Sequence, residues 1–397
     1  MKNMKRFLAF GMAACMVMGS MTACGSGKSD SGSSDAATTD SSSSDSSGDN
    51  GEVKLTMLGW EIYQQAGMEA LAAAYHEKHP NVTIEVQIST WSEYWTKLEA
   101  MANSNSLPDI FWMHTNEFSK YAEAGMLADL TDLYADEDPD YYHNNFPANL
   151  VENFTYEDKI YGVMKDVDTI GLVYNKDIFD EAGVSYPDDT WTWDDLVEAS
   201  ETIHEKTGKY LLTSEATGGD TLMMMMQSCG ANFVNEDGEA YIVGNDVAEK
   251  CINLYVDLVK NDVVKLVNNW DEYIATITGG EAAGIVNGNW ITATLMSTED
   301  QKGLWQITTM PKVDDVDTAT NYANNGGSSW YITSNCKNVE LAEDFLASTF
   351  GSSTDFYDAI LPEAGAISCY LPAGESKVYN EPNEFFGGQP IFSTIVE

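Results

Sequence analysis

Indole rings and hydrogen-bonding side chains fall together at several loop positions of this chain. Trp60-Glu61 closes an alternating segment in which Val53, Leu55 and Met57 share a face. Trp112, His114 and Asn116 come at the end of a short apolar run from Leu107 to Met113, and Asn287-Gly288-Asn289-Trp290 forms a turn after Ala282–Val286. The flat, negative face of an indole suits the weakly electropositive C–H face of a pyranose ring. Each ring hydroxyl both donates and accepts, so Asp, Glu, Asn and backbone groups bind hydroxyls in pairs. Residues of these types in loops predict a site of aromatic plates edged by carboxylates and amides, built for a hydroxylated guest.

Other chemistries find less support. There is no G-x-S-x-G, no H-E-x-x-H and no P-loop lysine motif. A chain with 63 acidic residues always contains candidate carboxylate pairs, so a glycoside-active enzyme stays open as the alternative, as does a carbohydrate sensor or adhesion module. Cys229, Cys251, Cys336 and Cys369 form no C-x-x-C pair and have no histidine cluster, which argues against zinc and for buried free thiols. Met223–Met226 reads as helix core, not as a metal box. The acidic run Asp132–Asp140 lacks the spacing of an EF-hand loop. Trp191 and Trp193 flank a helix start and are assigned to packing. No cofactor, metal or catalytic group is expected.

The elements that must carry these loops follow from periodicity. Residues 52–60 read as a strand, and Gln65 to His79 as an amphipathic helix stopped by Pro80. Val82, Ile84, Val86 and Ile88 alternate as a second strand. Thr90-Trp91-Ser92-Glu93 offers a capping box for a helix to about Ala102, and Leu107–Met113 is apolar enough for a buried parallel strand. This β-α-β-α-β order predicts an α/β lobe. A second α/β region follows: a strand at 170–174, a helix capped by Thr192 running to about Lys206, a helix near 246–260, a strand near 305–310 and a helix at 339–350. No solenoid repeat is present. The folded body of about 345 residues exceeds one comfortable core and predicts two domains.

Several of these segments resemble, in order, those of the ABC-transporter solute-binding proteins exemplified by bacterial maltose-binding protein. Leu107-Pro108-Asp109-Ile110-Phe111-Trp112-Met113-His114, with Tyr121-Ala122 and Gly125-Met126-Leu127, resembles a first-lobe strand, ligand loop and helix. Gly171-Leu172-Val173-Tyr174-Asn175-Lys176-Asp177 is similar to the family's most characteristic segment. Asp189 to Leu196 resembles the helix start after it, and Asn325-Gly326-Gly327 the strand crossing back. The resemblance runs from about Val53 to Tyr370. It implies two α/β lobes of the type II periplasmic-binding fold, joined by hinge strands and closing on a ligand. The first lobe would hold 52–165, the second 166–327, and 328–397 would return to the first lobe. It implies ligand roles for Trp112, His114, Asn116, Asp168 and Trp290, beside Trp60 and Glu61, with Asp220 and Asn325 in the same cleft. Asn116 matches less closely, because one residue is inserted before Phe118. It also implies a monomer that delivers a sugar to permease subunits of an importer. The chain departs from the pattern at Met164 and Lys165, where small and apolar residues are usual. It also stops at Glu397, where family members usually continue with helices on the second lobe, a difference that leaves both a C-terminal truncation and a natural end open.

The N-terminus predicts where such a protein works. Lys2, Lys5 and Arg6 precede an apolar run from Phe7 to Met21, too short to span a bilayer and laid out as an export signal. Thr22-Ala23-Cys24 resembles a lipobox, which implies a signal peptide at 1–23 and a fatty-acylated Cys24 anchored to the cell membrane. Gly25 to Gly51 has no aromatic residue and no Val, Ile or Leu, so it cannot offset its conformational entropy. As a flexible tether its ends lie about 30 Å apart. The formal net charge of −43 repels nucleic acid and anionic ligands.

Overall fold

The computed structural model describes residues 51–134, 145–216, 219–235 and 238–396. The signal segment, Cys24, the Ser/Asp-rich tether and most of the acidic run Asp132–Asp140 lie outside them. Among the described residues the strands are β1 Val53–Gly59, β2 Val82–Ile88, β3 Ile110–His114, β4 Thr155–Tyr156, β5 Lys159–Ile160, β6 Gly162–Val167, β7 Ile170–Asn175, β8 Leu212–Glu215, β9 Val264–Val267, β10 Gly284–Gly288, β11 Trp305–Thr309, β12 Gly327–Ile332 and β13 Ile367–Ser368.

Two α/β lobes result. The first is a six-stranded sheet in the order β13-β6-β12-β3-β1-β2. β1 lies parallel between β2 and β3, whereas β12 runs antiparallel between β3 and β6. Leu55, Met57, Ile110, Met113, Trp330 and Phe345 bury one continuous core around it. The second lobe is built on the antiparallel sheet β10-β7-β11, with the parallel pair β8-β9 beside it. β7 is buried along its whole length because both faces are covered. Ile170, Leu172 and Tyr174 enter one core with Trp193, Met224, Met225 and Met226. Val173 enters another with Ile285, Ile307 and Trp305. Adjacent strand residues point to opposite faces, which explains the unbroken apolar run read in this segment.

The helix starts follow from local hydrogen bonding. Thr192 makes a complete capping box with Asp195 and opens Trp193–Thr207, which Gly208 ends in the left-handed region. Thr90 caps Trp91–Asn103 through the Glu93 backbone N–H; the Glu93 carboxylate accepts from the Thr90 hydroxyl instead of the backbone, so only half the expected box forms. Cys229, Cys251, Cys336 and Cys369 are all buried and free.

Chain segments cross between the lobes at 167–170, 322–327 and 374–379. The expectation that 328–397 belongs wholly to the first lobe is corrected at its end. The segment after Tyr379 packs on β11: Phe386, Ile391, Phe392 and Ile395 are buried with Ile307 and Ile285. Gln389 accepts from the Ile307 backbone N–H at 2.9 Å and donates to its carbonyl at 2.7 Å. The cause is the spacing of Ile391, Phe392 and Ile395, which gives the Ile391–Val396 helix one apolar face for the otherwise open side of β11.

Candidate functional site

Trp60, Glu61, Trp112, His114, Asn116, Asp168, Asp220, Trp290 and Asn325 all line one cavity of about 1220 Å³ between the two sheets. β1 and β3 deliver the first five from their carboxyl ends, where open α/β sheets place ligands. The crossings supply Asp168 and Asn325. The second lobe brings Asp220, at the start of the Asp220–Ser228 helix, and Trp290, just after β10.

The first-lobe wall is an aromatic cluster. Trp60 stacks on Trp112 with centroids 4.2 Å apart and planes 11° from parallel. Trp91 meets Trp60 edge-on at 5.2 Å, and Tyr94 does so at 5.0 Å. Trp112 is only 2% exposed, so it backs Trp60 more than it presents a plate of its own. Trp91 and Trp95 also line the cavity, and sequence reasoning missed them. The available signal was their i, i+4 spacing directly after the Thr90 cap, which sets both on one helix face.

The second-lobe wall carries Trp290 against Trp270, centroids 5.3 Å apart. Trp270 was also missed; it stands first in the helix Trp270–Thr278, capped by Asn269. Gly288 permits the Trp290 pose, since a Cβ there would lie 2.3 Å from the indole Nε1. Indoles thus face the cavity from both lobes.

Charged groups occupy its base. Asp168 is half-buried; burial, aided by the neighbouring Asp166, pushes its carboxyl up to about 8 against a hydrogen bond from Trp290 and the pull of Lys165. Glu61 sits in the left-handed region at φ 69°, rare for a residue with a side chain. Its carboxylate accepts from the Tyr63 backbone N–H at 3.3 Å, and burial raises it to about 6. Lys165, one of the departures from the family pattern, is wholly buried. Its ammonium pairs with Asp166 and lies 3.9 Å from the Trp112 ring centroid. Burial lowers its pKa while Asp166 and the hydrogen bond between them raise it. Ser328 donates to the other Asp166 oxygen. The unusual lysine therefore ties the aromatic wall to the hinge.

His114 is held as the neutral Nε2–H tautomer. Its Nδ1 accepts from the Asn116 backbone N–H at 3.3 Å, so its Nε2 donates to the Asn325 carbonyl at 3.2 Å. Burial lowers its pKa, in keeping with a neutral ring. The Asn325 amide reaches Asn287 at 3.2 Å and Asp220 at 3.4 Å, which links a crossing segment to the second lobe. Asn116 and Asp220 are exposed at the rim. The turn at 287–290 does more than present Trp290. Asn289 is buried, accepts from the Thr169 backbone N–H at 2.8 Å and donates to the Gly365 carbonyl, tying a crossing to the first-lobe turn between the Thr354–Ala364 helix and β13.

The arrangement offers stacking surfaces, hydroxyl acceptors and a hinge. Among the described residues no group of three or more His, Cys, Asp or Glu side chains could hold a metal ion. Comparison with known proteins agrees with capture. The sequence pattern of the bacterial extracellular solute-binding proteins matches residues 59–350. The chain is 32% identical to the lactose-binding protein of Rhizobium radiobacter, over 87% of this chain and 82% of that one. It is 26% identical to the arabinooligosaccharide-binding protein of Bacillus subtilis, over 88% and 82%. Its fold matches that of the ABC transporter associated binding protein from B. animalis subsp. lactis in complex with beta-1,6-galactobiose, with TM-score 0.71, 21% identity and coverage of 86% and 84%. The chain belongs to the bacterial extracellular solute-binding proteins, and it is a binding protein, not an enzyme.

Proposed function

We propose that this chain captures a saccharide in the cleft between its lobes and hands it to the membrane subunits of an ABC importer. The observation that carries the reading is the pairing of indoles on both walls with carboxyl and amide groups between them. A pyranose offers C–H faces to the first and hydroxyls to the second. Trp60, Trp91 and Trp290 are the stacking groups. Glu61, Asp168, Asp220 and Asn325 bind hydroxyls; His114 and Asn116 order the loop, and Trp112 supports Trp60. The lactose and arabinooligosaccharide ligands named for the two relatives support a guest of two or more rings, as does a cavity larger than the roughly 300–1,000 Å³ of drug-sized sites.

The protein works outside the cytoplasm as a monomer held to the membrane by acyl chains on Cys24, with 1–23 removed and 25–51 as tether. The lobes divide at 52–165 and 166–327. A thermal-shift screen of neutral mono-, di- and oligosaccharides tests the ligand class. A true ligand at 100 times its Kd stabilises by about 2.7 kcal/mol; no shift with any saccharide would contradict the reading.

A further inference from the structure

The ionisable lining of the cleft is almost wholly acidic, among hydroxyl, amide and indole groups that are neutral. Besides the acids at its base, Glu93, Glu99 and Glu117 line the first-lobe wall and Glu215, Asp220 and Asp271 the second, making nine carboxyl groups in one cavity. Among the described residues one ammonium shares that lining, on Lys120, and it is paired with Glu117. The Lys165 ammonium behind the wall is engaged by Asp166 and the Trp112 ring. His114 is a neutral ring whose one N–H already binds the Asn325 carbonyl.

The second observation lies in the composition. Arg6 is the chain's single arginine, and it falls in the apolar leader's basic segment. The folded body therefore lacks the side chain best suited to carboxylate, phosphate or sulfate, whose planar fork of donors holds two anionic oxygens at once. Two features, the excess of carboxyl groups and the missing guanidinium, bear on the same property. An acidic saccharide would set anionic oxygens against carboxylates in a partly desolvated cleft, where like charges repel more strongly than in water. A neutral saccharide would instead donate its hydroxyl protons to those carboxylates.

Resting on the saccharide reading above, we propose that the cleft is a charge filter: it takes uncharged saccharides and excludes their carboxylated, phosphorylated and sulfated counterparts. The exclusion is electrostatic and distributed over both walls. It weakens as salt shortens the screening length from about 30 Å at 0.01 M to about 3 Å at 1 M.

The test is a calorimetric titration of the intact protein with a panel of neutral disaccharides (lactose, galactobiose, cellobiose and maltose) at pH 7 and low salt. The tightest binder is then compared with its own uronate and 6-phosphate forms. The filter predicts at least about a hundredfold weaker binding of both acids, narrowing as salt rises. Neutralising rim acids in the double variant Glu99→Gln, Asp271→Asn should raise acid affinity relative to the neutral sugar by about tenfold. Acids binding within about threefold of the neutral disaccharide would overturn the filter and leave the saccharide reading standing. If no saccharide in the panel binds, neutral or acidic, the saccharide reading fails and the filter fails with it.

Discussion

Trp60 and Trp290 face the same cavity, but they differ in what holds them. Trp60 is 9% exposed and packs on Trp91, Tyr94 and Trp112, so Trp60→Ala opens a core void as well as removing a plate. It should destabilise the fold by about 3–5 kcal/mol in denaturant titrations. Trp290 is half-buried against Trp270. Trp290→Ala should therefore weaken saccharide binding by about 1–3 kcal/mol in calorimetry, and unchanged affinity would remove it from the site. Asp168 gives a pH prediction. Its folded pKa of about 8 lies far above the ordinary value of 3.8, so between these limits the native state binds more protons than the unfolded one. Stability of the ligand-free protein must fall as pH rises through that window. Glu61, raised to about 6, acts in the same direction at the lower end, whereas the depressed His114 matters only below its ordinary 6.5. Cys229, lowered to about 7 by its hydrogen bond with Cys251, acts in the opposite direction in part of the same range, so Asp168 is isolated by comparing urea midpoints of the wild type and Asp168→Asn between about pH 6.5 and pH 8. The slope against pH should be more negative in the wild type than in the variant; equal slopes would contradict the account.

At the scale of elements, what could be read in advance was what is local. Alternation located β1 and β2, and the Thr192 capping box fixed its helix to within a residue, because each depends on neighbours a few positions away. Trp91, Trp95 and Trp270 escaped notice as site residues, since their positions beside helix caps say nothing of which cavity those helices border. The role of Asn289 was equally hidden: its partners Thr169 and Gly365 are 120 and 76 residues away. Asn289→Ala leaves a buried N–H and a buried carbonyl without partners and should cost about 1–3 kcal/mol by chemical denaturation. Gly288→Ala tests the turn in another way. Its Cβ would drive the Trp290 ring aside, so saccharide affinity should drop while the far-ultraviolet circular dichroism of the fold persists.

For the whole molecule, the two-lobed architecture was legible because its signature segments recur in order along the chain. The course of the final segment was not, because nothing local distinguishes an apolar helix that covers β11 from one that covers the first sheet. The proposed membrane anchor is testable by fractionation: Cys24→Ala should move the protein from the membrane to the soluble fraction. The central claim is that a saccharide sits between the lobes. A crystal structure of the complex with the most stabilising saccharide tests it most directly. The account predicts a sugar ring stacked on Trp290, with hydroxyls bound by Asp168 and Glu61 and the first-lobe indoles on the opposite wall. Electron density for the saccharide outside this cleft would contradict it.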